Sequence, residues 1–110
     1  MATTYKVLGQ SAPTAATATT LYTVPAATSA IISSINVVNT HASTTDVLRI
    51  AIRPAGAVLA NQHYIVYSLS LPAGATFTYT GGITLATTDV VTVYSTSGIS
   101  SFSAFGSEIS

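Results

Sequence analysis

Two arginines on one predicted strand are the residues of this chain best suited to binding another molecule. Arg49 and Arg53 lie four residues apart in the run DVLRIAIRP, so both project from the same face of an extended chain. A guanidinium offers a planar fork of N–H donors that fits a carboxylate or the backbone carbonyls of a neighbouring subunit. The alternative is two solvated arginines that pair with Asp46 or Glu108. The first alternative is a binding role and the second is structural, and neither involves a reaction.

Two further residues are candidates for the same interface. Tyr64 has the parity opposite to Ile65 and Tyr67 along its strand, which predicts an exposed aromatic anchor. Lys6 is the one basic residue besides the arginines, apart from the histidines. Exposed tyrosines also occur on sugar-binding surfaces, but those surfaces usually cluster Trp or Tyr with polar partners, and this sequence has no Trp.

The remaining ionisable residues do not form a catalytic or metal-binding motif. Asp46 and Asp89 each precede a strand, where aspartate ordinarily caps a turn. Neither His41 nor His63 has a second histidine or a carboxylate at metal-ligand spacing. There is no Gly-x-Ser-x-Gly elbow and no phosphate-binding glycine loop. We therefore expect no enzymatic activity, no cofactor and no metal.

Composition points to a domain that works inside an assembly. Charged residues make up 5% of the chain, against about 25% in typical soluble proteins. The formal net charge is zero, and 48% of the residues are hydrophobic. Such a surface gives a free monomer little protection from self-association. We expect part of the surface to be buried against neighbouring subunits; the alternative is a neutral, Thr-rich domain that is soluble alone.

Composition and charge also exclude several classes of partner. The sequence has no basic patch, which argues against nucleic-acid binding through phosphates. No apolar run approaches the roughly 20 residues that a membrane span needs. The first ten residues lack the apolar core of a secretory signal. Because the chain has no cysteine, disulfides and thiolate metal sites are impossible.

The hydrophobic pattern predicts a single all-β domain over residues 1–110. Short β-prone runs alternate with turn signals about every ten residues, at 4–8, 21–24, 30–39, 46–54, 63–71, 75–80, 83–85, 90–95 and 101–105. This pattern is typical of an antiparallel β-sandwich of seven to nine short strands, jelly-roll-like or immunoglobulin-like. Residues 10–20, rich in Ala and Thr, are predicted to form a loop or an extended arm. Gly9 should end the first strand, and residues 106–110 should be a tail.

Parity along the strands predicts which side chains enter the core. Leu48, Ile50 and Ile52 should face inward in 46–54, as should residues 65, 67, 69 and 71 in the later strand. The strand 30–39 is apolar on both parities, which suits a strand whose outer face lies against a partner.

Several of these segments together resemble a known family. The opening MATTYKVLGQSAP, the runs LYTVPA and TDVVTVY, and the ending FGSEI are similar to small virion structural proteins of tailed bacteriophages, especially cyanophages. The resemblance covers nearly the whole chain. Its segments are strand and turn signatures, so it marks no catalytic site.

The resemblance implies a role in particle assembly. The expected location is the virion, on the capsid exterior, where a decoration (cement) protein bridges subunits of the major capsid protein. The expected homo-oligomer is a trimer. Two alternatives remain open: a tail, baseplate or fibre component, or a host-surface module that binds glycans. The segment 10–20 would be the arm that becomes ordered on binding.

Overall fold

The computed structural model describes residues 2–110, and β-strands make up most of its regular structure. The strands are β1 (Thr3–Ser11), β2 (Thr19–Thr23), β3 (Ser29–Asn39), β4 (Asp46–Arg53), β5 (Tyr64–Leu71), β6 (Thr76–Tyr79), β7 (Ile83–Leu85), β8 (Val90–Ser95) and β9 (Ser100–Ile109). Two short 3-10 turns, Pro54–Gly56 and Asn61–His63, lie between β4 and β5. Among residues 2–110, no helix has the length and apolar character needed to cross a membrane. The predicted all-β sandwich is confirmed.

The strands form two antiparallel sheets whose order identifies the topology. Sheet A has the order β1-β9-β3-β6, with β7 also paired to β3, and sheet B has the order β2-β8-β4-β5. β6 and β7 pair with successive parts of β3, so they act as one edge strand interrupted at Gly81 and Gly82. Apart from the link between β6 and β7, all connections cross from one sheet to the other except the one from β4 to β5. This order is that of a jelly roll, which sets aside the immunoglobulin-like alternative.

The core lies between the sheets and is built from alternate residues of both. Leu48 and Ile50 of β4 are fully buried, as predicted, and they face Ile35 of β3 and Phe102 of β9 in one cluster. Ile52 packs at the edge of this cluster and is only partly buried. Each such apolar side chain contributes roughly 1.5–3 kcal/mol on burial. This burial fixes which faces of the sheets remain outside.

Two predicted strand ends are wrong because the chain continues past a glycine. β1 runs through Gly9, where a β-bulge shifts its register against β9. The residues predicted as a tail extend β9 as far as Ile109, which pairs with both β1 and β3. Both predictions treat glycine as the end of a strand. In the structure it instead allows close packing: a Cβ on Gly9 would lie 2.1 Å from the Leu21 carbonyl oxygen of the opposite sheet.

The predicted loop or arm over residues 10–20 is shorter than expected. Residues 10 and 11 belong to β1, and residues 19 and 20 belong to β2. The connection packs on the domain, since the Ala16 N–H donates to the Ser95 carbonyl at 2.9 Å and Pro13 is buried. In this structure the segment is a loop that closes one side of the sandwich and is not an extended arm.

Candidate interaction surfaces

The outer face of sheet A carries an exposed apolar patch that no single sequence motif predicts. Tyr5, Val7 and Ile31 are 83%, 49% and 41% exposed. Tyr5 and Ile31 both pair with Ser107 of β9, so they lie in one row across three strands. Phe105 pairs with Val7 and is partly exposed beside it. We call these four residues the sheet A patch. The sequence feature that pointed to it is the strand 30–39, which has apolar residues on both of its faces.

The face around this patch has no charged side chain among the described residues. Outward positions of β1, β9, β3, β6 and β7 alternate with the buried ones, and they hold Thr, Ser, Asn and Gln besides the apolar side chains. Lys6 and Glu108 belong to the same sheet but point to its inner side. Glu108 pairs with buried Ala30, and Lys6 lies in one row with buried Ile32 through Gly106. An uncharged face of this kind can be covered by a neighbour without desolvating an ion.

Arg49 lies on the outer face of sheet B and is held by aromatic rings. Its guanidinium carbon is 4.4 Å from the ring centre of Tyr67 and 4.8 Å from that of Tyr94. Its Nε donates to the Ser68 hydroxyl at 3.3 Å. Tyr64 contacts Tyr67 edge to face, with 4.9 Å between ring centres. Arg49 and Tyr64, both predicted as interface residues, therefore come together, and Tyr67 joins them.

Tyr67 was predicted to face the core, and this prediction is wrong. The ring is 60% exposed. Leu48 pairs with Leu69 and Ile50 pairs with Val66, so Tyr67 and Ser68 together oppose the single residue Arg49. This β-bulge breaks the alternation on which the parity argument depended. Ser68 has a φ of 54°, a left-handed conformation that the sequence did not signal.

Arg53 binds its own chain. Its Nε donates to the Thr92 hydroxyl at 3.0 Å, and one terminal nitrogen donates to the carbonyls of Gly56 and Ala57 at 3.4 and 3.1 Å. The guanidinium thus stabilises the turn that follows β4. Neither alternative from the sequence describes it, because its acceptors are intramolecular carbonyls rather than a carboxylate or a partner. The interface role of Arg53 stays a prediction.

Lys6 forms an ion pair at the open end of the sandwich. Its Nζ lies 2.9 Å from a carboxylate oxygen of Glu108, and the Tyr22 hydroxyl donates to the other oxygen at 2.6 Å. Tyr22 belongs to sheet B, so this contact joins the two sheets. The hydrogen bond from Tyr22 and then that from Lys6 hold the pKa of Glu108 below its usual range. Burial, together with the carboxylate, raises the pKa of Tyr22. Lys6 is therefore a structural residue with a partly exposed head group.

We predict that Tyr22→Phe destabilises the domain by about 1.5 kcal/mol. The change removes a hydrogen bond to a charged acceptor, and Glu108 keeps its contact with Lys6, which limits the loss. Urea unfolding monitored by circular dichroism measures it. Tyr79→Phe is the matched control, because the Tyr79 hydroxyl has no hydrogen bond within residues 2–110 and should lose little. Equal losses for the two variants would show that the contact between the sheets contributes nothing.

The remaining ionisable side chains organise loops. Asp89 accepts the N–H groups of Ala55 and Ala86, as expected of a turn cap. The His41 Nδ1 accepts the N–H groups of residues 43 and 44, and the His63 Nδ1 accepts that of Ala60. Within residues 2–110, no three or more His, Asp or Glu side chains are grouped to hold a metal ion.

Asp46 forms a buried hub and is not an ordinary surface cap. Its carboxylate accepts the hydroxyls of Ser95 and Ser100 at 2.5 Å each, and the N–H groups of Val47 and Ser97 at 2.9 and 3.0 Å. These bonds tie the start of β4 to the β8–β9 connection. The residue is fully buried and every donor around it is satisfied. The role of Asp46 is therefore structural.

Comparisons with known proteins give this chain no relative. No protein-family model, no curated protein and no solved structure matches it. Its function must therefore be argued from the two outer faces described above.

Proposed function

We propose that this chain is a bacteriophage virion structural protein that decorates the capsid and stabilises it through subunit contacts. The observation that carries the proposal is the uncharged outer face of sheet A with its exposed apolar patch. The chain acts by covering neighbours, including the major capsid protein, and catalyses no reaction.

The surface chemistry supports a role in assembly. A stable protein contact buries about 800 Å² on each partner, and the whole chain exposes 5434 Å². One such contact would cover about one seventh of the molecule. Tyr5, at 83% exposure, is an aromatic residue of the type that anchors interfaces. Three copies around a local symmetry axis would repeat the contact, so a trimer is the oligomer we propose.

The fold supports the same role by analogy. Jelly rolls occur in viral capsid domains and also in lectins. A fold does not fix a function, so the fold supports the capsid role only in combination with the surface chemistry. The resemblance to small virion proteins of tailed bacteriophages points the same way.

Separating heads from tails tests the location in the particle. Purified particles of the phage that encodes the chain would be split into tail-free heads and detached tails, and the chain would be quantified in each by mass spectrometry. We expect it with the heads in many copies. Recovery with the tails alone would favour a tail, baseplate or fibre component, and absence from both would overturn the proposal.

Tyr5→Asp should weaken binding to heads that lack the protein. A carboxylate in the centre of an apolar contact must be desolvated without a partner, so we expect a loss of at least about 2 kcal/mol, roughly thirtyfold in affinity. Co-sedimentation of purified protein with such heads measures it. Ser70→Asp places the same charge on an exposed position of sheet B and should bind normally. Equal binding by both variants would exclude the sheet A patch as the contact.

A further inference from the structure

The bulge in β5 turns an aromatic ring out of the core at a conformational cost. Ser68 adopts a φ of 54° although it is not glycine, a left-handed conformation that is strained for a residue with a Cβ. Regular alternation would have placed Tyr67 on the core side of the strand. Strained positions and bulges that redirect a side chain are concentrated at binding sites.

The redirected ring is held rigidly in an open corner. Arg49 stacks on Tyr67 and bonds to Ser68, so it braces both residues of the bulge. Tyr64 meets Tyr67 at an angle of 79°. These two rings and the exposed Asn61 line a cavity of about 380 Å³. Ligand sites commonly have volumes of about 300–1,000 Å³, so this corner has room for one small ring system.

We propose that this corner, formed by Asn61, Tyr64 and Tyr67, binds a neutral sugar ring. A pyranose has an apolar C–H face that packs on an aromatic ring and a rim of hydroxyls that hydrogen-bond to amide and phenol groups. The corner offers an aromatic surface beside the Asn61 amide and the phenol hydroxyls. Arg49, the cation that packs beside this corner among residues 2–110, is covered by two rings. The site is thus matched to an uncharged ligand, and it does not depend on the proposed capsid role.

The geometry disfavours peptide ligands. β5 is an edge strand of sheet B, but consecutive register shifts interrupt it opposite residues 48–51. A bulged edge cannot accept an added strand along its length. Proline-rich segments dock in grooves lined by several aromatic side chains, whereas this corner presents two rings in edge-to-face contact.

Glycan arrays and NMR titration test the site together. The wild-type protein would be probed on an array displaying neutral hexoses and N-acetylhexosamines, and then titrated with the methyl glycoside of the sugar that binds. We expect amide shifts confined to residues 61–68 and to Arg49 and Tyr94, which pack beside Tyr67 on the neighbouring strands. Tyr67→Ala should bind at least about tenfold more weakly, an effect similar to that of removing an aromatic side chain that stacks on a nucleic-acid base. Tyr67→Phe should retain most of the affinity.

Tyr5→Ala is the matched control, because it removes an exposed tyrosine from the other sheet, and Tyr5 is even more exposed than Tyr67. It should bind sugar as the wild type does. Equal loss in Tyr5→Ala and Tyr67→Ala, shifts elsewhere in the chain, or no array signal would overturn the proposal. Binding of a proline-rich peptide at residues 61–68 with no sugar bound would also overturn it. None of these results would bear on whether the chain covers capsid subunits through sheet A.

Discussion

Gly106→Ala will destabilise the sandwich by about 4 kcal/mol or more. A Cβ at this position would lie 2.0 Å from the carbonyl oxygen of Ile31 on the adjacent strand. The Ile31 oxygen is a backbone atom and the new Cβ is bonded directly to the backbone, in the middle of sheet A. Neither atom can therefore move aside by a change of side-chain rotamer. The loss is comparable to the whole stability of many small domains, about 5–15 kcal/mol. We expect little folded protein at 37 °C.

Gly74→Ala separates this steric effect from the general cost of replacing glycine. Gly74 has a φ of 70°, and nothing lies within 4 Å of a Cβ placed there. The strain of that conformation should cost only about 1–2 kcal/mol. Urea unfolding of both variants measures the difference. If Gly106→Ala and Gly74→Ala proved equally stable, β9 and β3 would not approach each other as closely as the structure shows.

Asp46→Ala will cost about 4 kcal/mol, because it leaves buried donors without an acceptor. Two serine hydroxyls and two backbone N–H groups depend on this carboxylate. Each unsatisfied buried group costs about 1–3 kcal/mol, and local relaxation recovers part of the sum. Asp46→Asn keeps the shape and one carbonyl oxygen, so we expect about half the loss. Thermal unfolding of both variants measures this, and wild-type stability of Asp46→Ala would refute the hub.

The same carboxylate should make the domain sensitive to acid. Burial raises the pKa of Asp46, but the hydrogen bonds from the two serines and the two N–H groups outweigh it and hold the pKa below its usual range. Because the folded-state pKa lies below the unfolded value of about 3.9, the contribution is complete above that pH. It is lost as the pH falls through the folded-state pKa. Asp46→Asn should lose less stability in this window than the wild type; parallel curves would contradict the assignment.

The strands could be predicted from the sequence because each one carries its own local signal. The run around Leu48 and Ile50 alternates regularly, and Pro54 follows it, so both its location and its core face were correct. Strand order could not be predicted, since the pairing of β1 with β9 joins residues about 100 positions apart. No local pattern encodes such a contact, and the choice between a jelly roll and an immunoglobulin-like sandwich therefore had to come from the structure.

The candidate surfaces were predicted less well, for reasons that lie in particular residues. The outward placement of Arg49 was correct, but one of the two rings that cover it comes from Tyr67, which a bulge at a non-glycine residue exposes. Lys6 and Arg53 have exposed head groups, yet their acceptors come from distant or irregular segments. The sheet A patch depends on register across three strands, because Tyr5 and Ile31 meet only through Ser107.

The most direct test of the assembly role compares the accessibility of two tyrosines before and after incorporation into the particle. Hydroxyl-radical footprinting, read by mass spectrometry, would be applied to the free chain and to intact virions. Tyr5 and Tyr67 are 83% and 60% exposed in the free chain, so both should react there. In virions we expect Tyr5 to be strongly protected and Tyr67 to react nearly as before. Equal reactivity of Tyr5 in both states would contradict a contact through the uncharged face of sheet A.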